Sequence, residues 1–320
     1  MDKFIRCITQ AIGNTPLLRL DRVKEHVGYE GDIYAKLEHM SPGFSKKDMI
    51  ALGMIEQAEQ KGLLKPGQPV LEVTSGNTGT GLAMVCSAKG YRFICVLSKG
   101  NSVERRQMIE AFGGELVLVD QAPSSVKGRV SGEDLKLVEI EAERIAKETG
   151  AFFTNQFKNF DNSKAQEIAG LEMWEQSGGR VQVFADFIGT GGTFMGYATV
   201  LKHRNPEVRC YAVEPHGFAY YKDEIFADVS GHRIQGGGYA RELELVERGL
   251  MDGIITVTDN EATDMTYLLA KIEGVFAGFS SGANLAAAIK LLQNEERGKQ
   301  VGIVINDCGL KYMSTSLFGC

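Results

Sequence analysis

Residues 41–48 read Ser-Pro-Gly-Phe-Ser-Lys-Lys-Asp, and they join a predicted strand to a predicted helix. The strand is predicted for Asp32 to Glu38, where polar and apolar side chains alternate. The helix is predicted for Asp48 to Lys61, where apolar residues recur at helical spacing. Lys47 therefore stands at a helix start, where the positive end of the helix dipole favours the neutral, nucleophilic amine. This interpretation predicts a Schiff-base lysine, although paired lysines at a helix start are more often a solvated surface.

Composition limits the classes of function. The chain has 320 residues, enough for one large or two medium domains, and a net charge of -6. It has no basic run, and nucleic-acid binding needs clustered Lys and Arg to neutralise phosphates. No run of eighteen apolar residues predicts a membrane span, and the six cysteines form no CxxC pair, which is typical of a reducing cytoplasm. We therefore expect a cytoplasmic protein that binds a small molecule and neither nucleic acid nor membrane.

A first loop of small polar residues follows the predicted strand Pro69 to Val73. It reads Thr74-Ser75-Gly76-Asn77-Thr78-Gly79 and leads into the predicted helix Leu82 to Ala88. Hydroxyls, an amide and backbone N–H groups at a helix start form a cradle for a carboxylate or a phosphate. The alternative is an ordinary N-cap and tight turn, which needs only one such residue.

A second loop repeats the plan of strand, glycine loop and helix. Gly189-Thr190-Gly191-Gly192-Thr193 joins the predicted strand Val181 to Ile188 to the predicted helix Phe194 to His203. Small residues let the backbone approach a phosphate closely, and the helix dipole adds attraction. Because Phe194 stands where the dinucleotide fingerprint needs its third glycine, a phosphate monoester is the better prediction.

Further polar residues lie at predicted element ends. Asn155-Gln156-Phe157 ends a short strand, and its amide either faces a ligand cleft or caps the predicted helix Asp161 to Trp174. Ser280 begins an alanine-rich helix. The polar segment between Asp120 and Glu133 suggests a hinge or cover, and Gly236-Gly237-Gly238 either a pocket lip or a turn. No metal ligands are predicted.

Alternation of strands and helices along the chain predicts an α/β fold with parallel sheet. We expect two domains, each a mostly parallel twisted sheet flanked by helices, with a cofactor in the crevice between them. Residues 1–150 form the predicted N-terminal domain, although its first ~35 residues are expected to pack on the other domain, and residues 151–320 form the C-terminal domain. A reactive lysine, a phosphate cup, an anion cradle and a neutral hydroxyl together suit pyridoxal 5'-phosphate.

Six motifs carry a family resemblance: Gly13-Asn14-Thr15-Pro16-Leu17, Pro42 to Asp48, Thr74 to Gly79, Glu104-Arg105-Arg106, Gly189 to Thr193 and Ser280-Ser281-Gly282-Ala283. The chain resembles the cysteine synthase and cystathionine β-synthase family, the second fold type of pyridoxal-phosphate enzymes, over nearly its whole length. The resemblance implies a homodimer in which Lys47 forms the Schiff base and Asn77 bonds the ring hydroxyl of the cofactor. It also implies that Gly189, Thr190, Gly191, Gly192 and Thr193 hold the phosphate and that Ser280 faces the pyridine nitrogen. The substrate carboxylate is assigned to Thr74, Ser75, Thr78 and Gln156.

The implied reaction is β-replacement or β-elimination on a small L-amino acid through an aminoacrylate. Synthesis of cysteine from O-acetylserine and sulfide is the first expectation. A serine hydroxyl cannot keep the pyridine nitrogen protonated as a carboxylate does, which favours elimination over racemisation. A sulfide-releasing cysteine lyase, a serine or threonine dehydratase, and a non-catalytic cofactor-holding binding partner remain open alternatives.

Some positions depart from the family pattern. Ser41, Lys46 and Met49 stand where the family usually has Asn, Val and Arg, and Cys308 to Tyr312 replaces Ser-Gly-Glu-Arg-Tyr. These departures leave the substrate open. Lys46 also makes the Schiff-base position ambiguous, and Lys47 is preferred because Ser-x-Lys-Asp keeps the family register.

Overall fold

The chain forms two compact units in the computed structural model, which describes residues 4–74, 76–99, 103–123, 125, 132–226 and 231–318. Unit 1 comprises Met1–Ile12 and Lys47–Asn162, and unit 2 comprises Gly13–Lys46 and Ser163–Cys320. The domain boundary at residue 150 stays a prediction. Within the predicted hinge or cover, positions 124 and 126–131 lie outside the described residues.

The order of elements confirms the predicted alternation of strands and helices. The strands are β1 (Leu17–Arg19), β2 (Asp32–Lys36), β3 (Val70–Val73), β4 (Phe93–Ser98), β5 (Glu115–Val119), β6 (Phe152–Phe153), β7 (Val183–Phe187), β8 (Arg209–Pro215), β9 (Phe218–Ala219), β10 (Glu224–Ile225), β11 (Gly253–Val257) and β12 (Gln300–Val304). The α-helices are α1 (Asp21–Val27), α2 (Lys47–Gln60), α3 (Asn77–Lys89), α4 (Val103–Ala111), α5 (Gly132–Thr149), α6 (Asp161–Gln176), α7 (Gly192–Arg204), α8 (Asp259–Leu268) and α9 (Phe279–Gln293). None of these helices is long and apolar enough to span a membrane, within the part of the chain that is described.

Unit 1 contains a four-stranded parallel sheet in the order β5-β4-β3-β6. Both faces of the sheet are covered. Phe93, Cys95 and Leu97 of β4 pack in one cluster with α2 and α3, whereas Ile94 and Val96 pack in a second cluster with α5. This alternation along a strand buried on both sides explains why β4 is a continuous apolar run.

Unit 2 contains a six-stranded sheet in the order β1-β2-β12-β7-β8-β11. Strands β2 to β11 of this order run parallel, and β1 pairs antiparallel with β2 at the edge. Helices α9 and α7 pack on β7, so this sheet is also flanked by helices. The predicted α/β fold with mostly parallel sheets is confirmed. Strands β7 and β12 are neighbours in the sheet. Because parallel strands end at the same edge, the loops that follow them lie side by side.

Candidate active site

The lysine stretch enters α2 through Gly43–Lys46, which we call the lysine loop. A single 3-10 turn, Glu38–Met40, separates this loop from β2, so Lys47 does not follow the strand directly. Lys47 lies at a helix start as expected, although α2 begins at Lys47 itself and not at the predicted Asp48. The lysine loop is held by the segment after β12, because the Lys46 N–H donates to Asn306 O at 2.9 Å and Lys311 Nζ donates to Gly43 O at 2.9 Å.

The two adjacent lysines have different surroundings. The side chain of Lys46 is buried, and its Nζ lies 3.1 and 2.9 Å from the two carboxylate oxygens of Asp186. An ammonium engaged in a buried ion pair is a poor nucleophile, because it would have to give up both its proton and its partner. The ion pair therefore favours Lys47 over Lys46 as the Schiff-base residue.

The first glycine loop connects β3 to α3, and its candidate residue Ser75 lies outside the described residues. Thr74 Oγ1 accepts hydrogen bonds from the N–H groups of Gly76 at 3.3 Å and Gly79 at 3.2 Å. This hydroxyl thus serves the local capping role that was the alternative interpretation of the loop. Asn77, which is partly exposed, is the first residue of α3.

Gln156 lies beside the first loop. The Thr78 hydroxyl donates to Gln156 Oε1 at 2.6 Å, and Gln156 Nε2 donates to Val73 O at 3.2 Å. The alternative role, capping of α6, belongs to Asn159, whose Oδ1 accepts the N–H of Asp161 at 3.0 Å. The structure therefore brings Gln156 to the predicted carboxylate cradle, where Thr78 is also buried.

Glu72 supports this cradle and was not predicted from the sequence. Its buried carboxylate accepts hydrogen bonds from the Thr154 hydroxyl at 2.6 Å, the Gln156 N–H at 2.9 Å and the Val73 N–H at 2.8 Å. Burial raises the pKa of Glu72 to about 7, although the three hydrogen bonds oppose that rise. The signal in the sequence was a single charged residue inside the apolar strand Val70–Val73.

Lys47 and α3 are close within unit 1. A Cβ atom added to Gly81 of α3 would lie 3.0 Å from Lys47 O, so the start of α2 packs directly on α3. Unit 1 thus groups Lys47, Asn77, Thr78 and Gln156 around the carboxyl end of β3 and the start of α3.

The second glycine loop is tightly packed. A Cβ atom at Gly189 would lie 2.2 Å from Gly236 O, and one at Gly237 would lie 2.1 Å from Ile188 O. Gly191 caps α7 in the left-handed region, with φ of 88°. The triple glycine, predicted as a pocket lip or a turn, therefore lies against the second glycine loop (Gly189 to Thr193), which we call the phosphate loop. A Cβ atom at Gly189 or Gly237 would collide with backbone.

The threonines of this loop differ in their hydrogen bonding. Thr190 Oγ1 accepts the Gly192 N–H at 3.3 Å. Thr193 Oγ1 is buried and has no hydrogen-bond partner among the described residues. A buried hydroxyl without a partner among the described residues, next to a helix start, fits a phosphate ester that would accept a hydrogen bond from it. The residues present are therefore suited to hold the phosphate of pyridoxal phosphate.

Ser280 is the second residue of α9 and is buried. The start of α9 packs against the segment after β12, since a Cβ atom at Gly278 would lie 2.3 Å from the Tyr312 ring. Ser281 Oγ accepts the Asn306 N–H at 2.9 Å. Within unit 2, the phosphate loop thus follows the carboxyl end of β7. Ser280 and the lysine loop lie against the segment that follows the carboxyl end of β12.

Comparison with known proteins gives the same family over nearly the whole chain. The family described as "Pyridoxal-phosphate dependent enzyme" matches residues 8–307. A cysteine synthase of Staphylococcus aureus (strain Mu50 / ATCC 700699) is 38% identical over 313 residues, which are 97% of this chain and 96% of that protein.

Solved structures are also similar. O-acetylserine sulfhydrylase isoform 3 of Entamoeba histolytica has a TM-score of 0.90 at 33% identity, covering 99% of this chain and 92% of that one. A hydrogen sulfide-producing enzyme of Fusobacterium nucleatum has a TM-score of 0.87 at 33% identity, covering 97% and 100%.

Proposed function

The chain belongs to the family of pyridoxal-phosphate dependent enzymes, and on this premise we propose that it is a cysteine synthase-like enzyme. It replaces the β-substituent of a small L-amino acid, with O-acetylserine and sulfide as substrates and cysteine as product. A second candidate is an L-cysteine lyase that releases sulfide, since a hydrogen sulfide-producing enzyme is among the similar structures.

The observation that carries the proposal is the hydrogen bond between Thr78 and Gln156. It joins two of the four side chains assigned to the substrate carboxylate, although they lie 78 positions apart. Gln156 Nε2 donates one hydrogen to Val73 O and keeps a second for a ligand. In our proposal Thr74, Ser75, Thr78 and Gln156 bind the carboxylate and so orient the Cα–H bond of the substrate.

Lys47 has two roles in the proposal. Its Nζ would hold the cofactor as a Schiff base until the substrate amine displaces it. The freed Lys47 amine would then act as the general base that takes the proton from the substrate Cα. Bound pyridoxal phosphate withdraws electrons from Cα and so weakens the Cα–H bond of the substrate. Asn77, at the start of α3, is assigned to the ring hydroxyl of the cofactor.

Unit 2 supplies the remaining cofactor contacts. Gly189 to Thr193 donate N–H and O–H groups to the phosphate at the positive end of α7. Ser280 faces the pyridine nitrogen with a neutral hydroxyl. This hydroxyl donates to a neutral nitrogen and does not force its protonation, which favours loss of a β-substituent.

The test of the chemistry is Lys47→Ala, with Lys61→Ala as its control. Lys61 follows α2 and forms an exposed ion pair with Asp161. We expect Lys47→Ala to lower kcat roughly 100-fold to 10,000-fold, the contribution of a positioned general base, and to abolish the absorption band of the bound cofactor. Lys61→Ala should keep both. Unchanged kcat in Lys47→Ala would contradict the assignment.

The two candidate reactions separate in one pair of assays. A cysteine synthase forms cysteine from O-acetylserine and sulfide, whereas a lyase releases sulfide from cysteine alone. The larger kcat/KM decides between them. If neither reaction proceeds with the cofactor bound, the proposed function is wrong.

Assembly and location are part of the same proposal. We propose a homodimer, as the family resemblance implies, and a location in the cytoplasm, which the pattern of the six cysteines favours. Light scattering of the purified protein measures the mass, for which we expect twice the 35.0 kDa of one chain.

A further inference from the structure

The buried ion pair between Lys46 and Asp186 lies next to two proposed cofactor sites in the sequence. Lys46 directly precedes Lys47, and Asp186 lies three residues before Gly189 of the phosphate loop. The relative exposures of the two side chains are 8% and 1%. Burying two charges costs free energy unless the geometry is good, so a net gain in stability is a weak explanation for this pair, and a functional role is the alternative.

The Asp186 carboxylate has a second partner. Asn284 Nδ2 donates to Asp186 Oδ1 at 2.9 Å and to Val304 O at 2.8 Å. Asn284 Oδ1 in turn accepts the Phe187 N–H at 2.6 Å. One network thus joins β7, α9 and β12, and two of these elements carry the phosphate loop and Ser280.

The backbone of Lys46 is fixed as well. Its N–H donates to Asn306 O at 2.9 Å, and its carbonyl accepts from Gln166 Nε2 at 2.9 Å. With Nζ on Asp186, Lys46 is held at three points within unit 2. Because Lys46 and Lys47 share a peptide bond, this anchoring restricts the position of the Lys47 backbone nitrogen.

We propose that the Lys46–Asp186 pair is a positioning device that sets the backbone of Lys47 and the phosphate loop for cofactor binding. Neither residue touches the cofactor in this proposal. It rests on the proposed roles of Lys47 and Gly189 to Thr193, and it gives a reason for a lysine where the family usually has valine. A pair with only a structural role would affect stability and leave cofactor binding unchanged.

The test compares Lys46→Met with Lys36→Met. Lys36 is another buried lysine of unit 2, with its Nζ 2.5 Å from a carboxylate oxygen of Glu172, but it lies on β2 and belongs to no proposed cofactor contact. We expect Lys46→Met to raise the dissociation constant of pyridoxal phosphate on the order of tenfold to 100-fold, because a displaced phosphate loop would lose one or two hydrogen bonds to the charged phosphate. Its cofactor absorption band should also shift. Lys36→Met should lower the melting temperature and leave both the dissociation constant and the band unchanged.

A double variant covers the case in which Lys46→Met does not fold. Lys46→Met leaves the Asp186 charge buried without its cation, and Lys46→Met/Asp186→Asn removes both charges. The double variant should fold and still show the weaker cofactor binding. Wild-type affinity and band position in a folded Lys46 variant, or equal changes in Lys36→Met, would overturn the proposal. A wild-type protein that binds no pyridoxal phosphate would instead contradict the proposed function.

Discussion

The two glycine loops follow the same plan of strand, loop and helix, but their polar groups are used differently. In the first loop the Thr74 hydroxyl accepts two loop N–H groups, those of Gly76 and Gly79. In the second loop the Thr193 hydroxyl is buried without a hydrogen-bond partner among the described residues. Both loops thus satisfy some of their N–H groups with their own threonines, since Thr190 Oγ1 accepts the Gly192 N–H, but the second loop also leaves the Thr193 hydroxyl as a donor for a ligand. This difference agrees with the proposed function, in which the first loop binds the substrate carboxylate and the second loop holds the phosphate of the cofactor.

The glycines of the two loops differ in what surrounds them. A Cβ atom at Gly79 would lie 2.7 Å from Thr74 Cγ2 and 2.8 Å from Ile109 Cδ1, and both are side-chain atoms. At Gly189 the nearest atom is the carbonyl oxygen of Gly236, at 2.2 Å. Side-chain ends can move at low cost, but a packed backbone cannot. The second loop is therefore the more rigid of the two.

Gly189→Ala should have the largest effect and tests this rigidity. The added methyl group would overlap the backbone of residue 236, and we expect a loss of about 3 kcal/mol in the free energy of unfolding. The phosphate loop should also shift, so that cofactor affinity falls. Urea denaturation and cofactor titration measure the two effects.

Gly249→Ala is the matched control for this overlap. A Cβ atom at Gly249 would meet no atom within 4 Å, so the same substitution should change stability by less than about 0.5 kcal/mol. Gly79→Ala in the first loop should fall between the two. If Gly189→Ala is as stable as Gly249→Ala, the second loop is not rigid.

The next largest effect is a pH dependence of the free energy of unfolding that arises from two buried carboxylates, one beside the first loop and one outside both loops. Burial raises the pKa of both Glu72 and Glu214 to about 7. In the unfolded chain each of these carboxyls has a pKa near 4.5 and loses its proton at lower pH than in the folded chain. Their contribution to stability therefore falls as pH rises from about 4.5 to 7. For Glu72 the loss between pH 5 and pH 7 is about 2 kcal/mol. Glu72→Gln and Glu214→Gln should each reduce this slope in urea denaturation across that window.

The kinetics of these two variants should differ. An amide has one oxygen where the carboxylate has two, so Glu72→Gln leaves an N–H of Val73 or Gln156 without its acceptor. Both residues flank the first loop, and the substrate KM should rise. Glu214 accepts from the N–H groups of Tyr220 and Tyr221, outside both loops, so Glu214→Gln should keep the wild-type KM. Equal KM values in the two variants would remove Glu72 from the support of the first loop.

Local patterns in the sequence were enough to predict the surroundings of both loops. Periodicity and small residues indicated the strands and helices that flank them, and the place of Lys47 at a helix start. The start of α3 was predicted at Leu82, but the helix begins at Asn77. Gly79 and Gly81 lower the helix propensity of these first residues, which is why they were not predicted as helical, whereas Gly81 leaves the space that the nearby Lys47 O requires.

Glu72 and Asp186 could not be found in this way. Glu72 bonds Thr154, 82 positions away, and Asp186 bonds Lys46, 140 positions away. No local period links such partners. A charged residue in an apolar strand indicates that a partner exists, but the fold decides which one it is.

Removing the hydroxyls of Thr74 and Thr193 should give the smallest effects. The two substitutions should change the free energy of unfolding differently. Thr74→Val leaves the N–H groups of Gly76 and Gly79 without their acceptor, so we expect a loss of about 1 kcal/mol in the free energy of unfolding. Thr193→Val removes a buried hydroxyl that has no partner in the described chain, so stability should stay equal or rise slightly. Cofactor affinity should respond in the opposite order: we expect it to fall roughly tenfold in Thr193→Val, because a hydrogen bond to a charged phosphate is lost, and to change little in Thr74→Val. Denaturant midpoints of the cofactor-free variants and cofactor titrations give both quantities. If Thr193→Val loses stability and keeps its affinity, that hydroxyl serves the fold, and the contrast between the two loops fails.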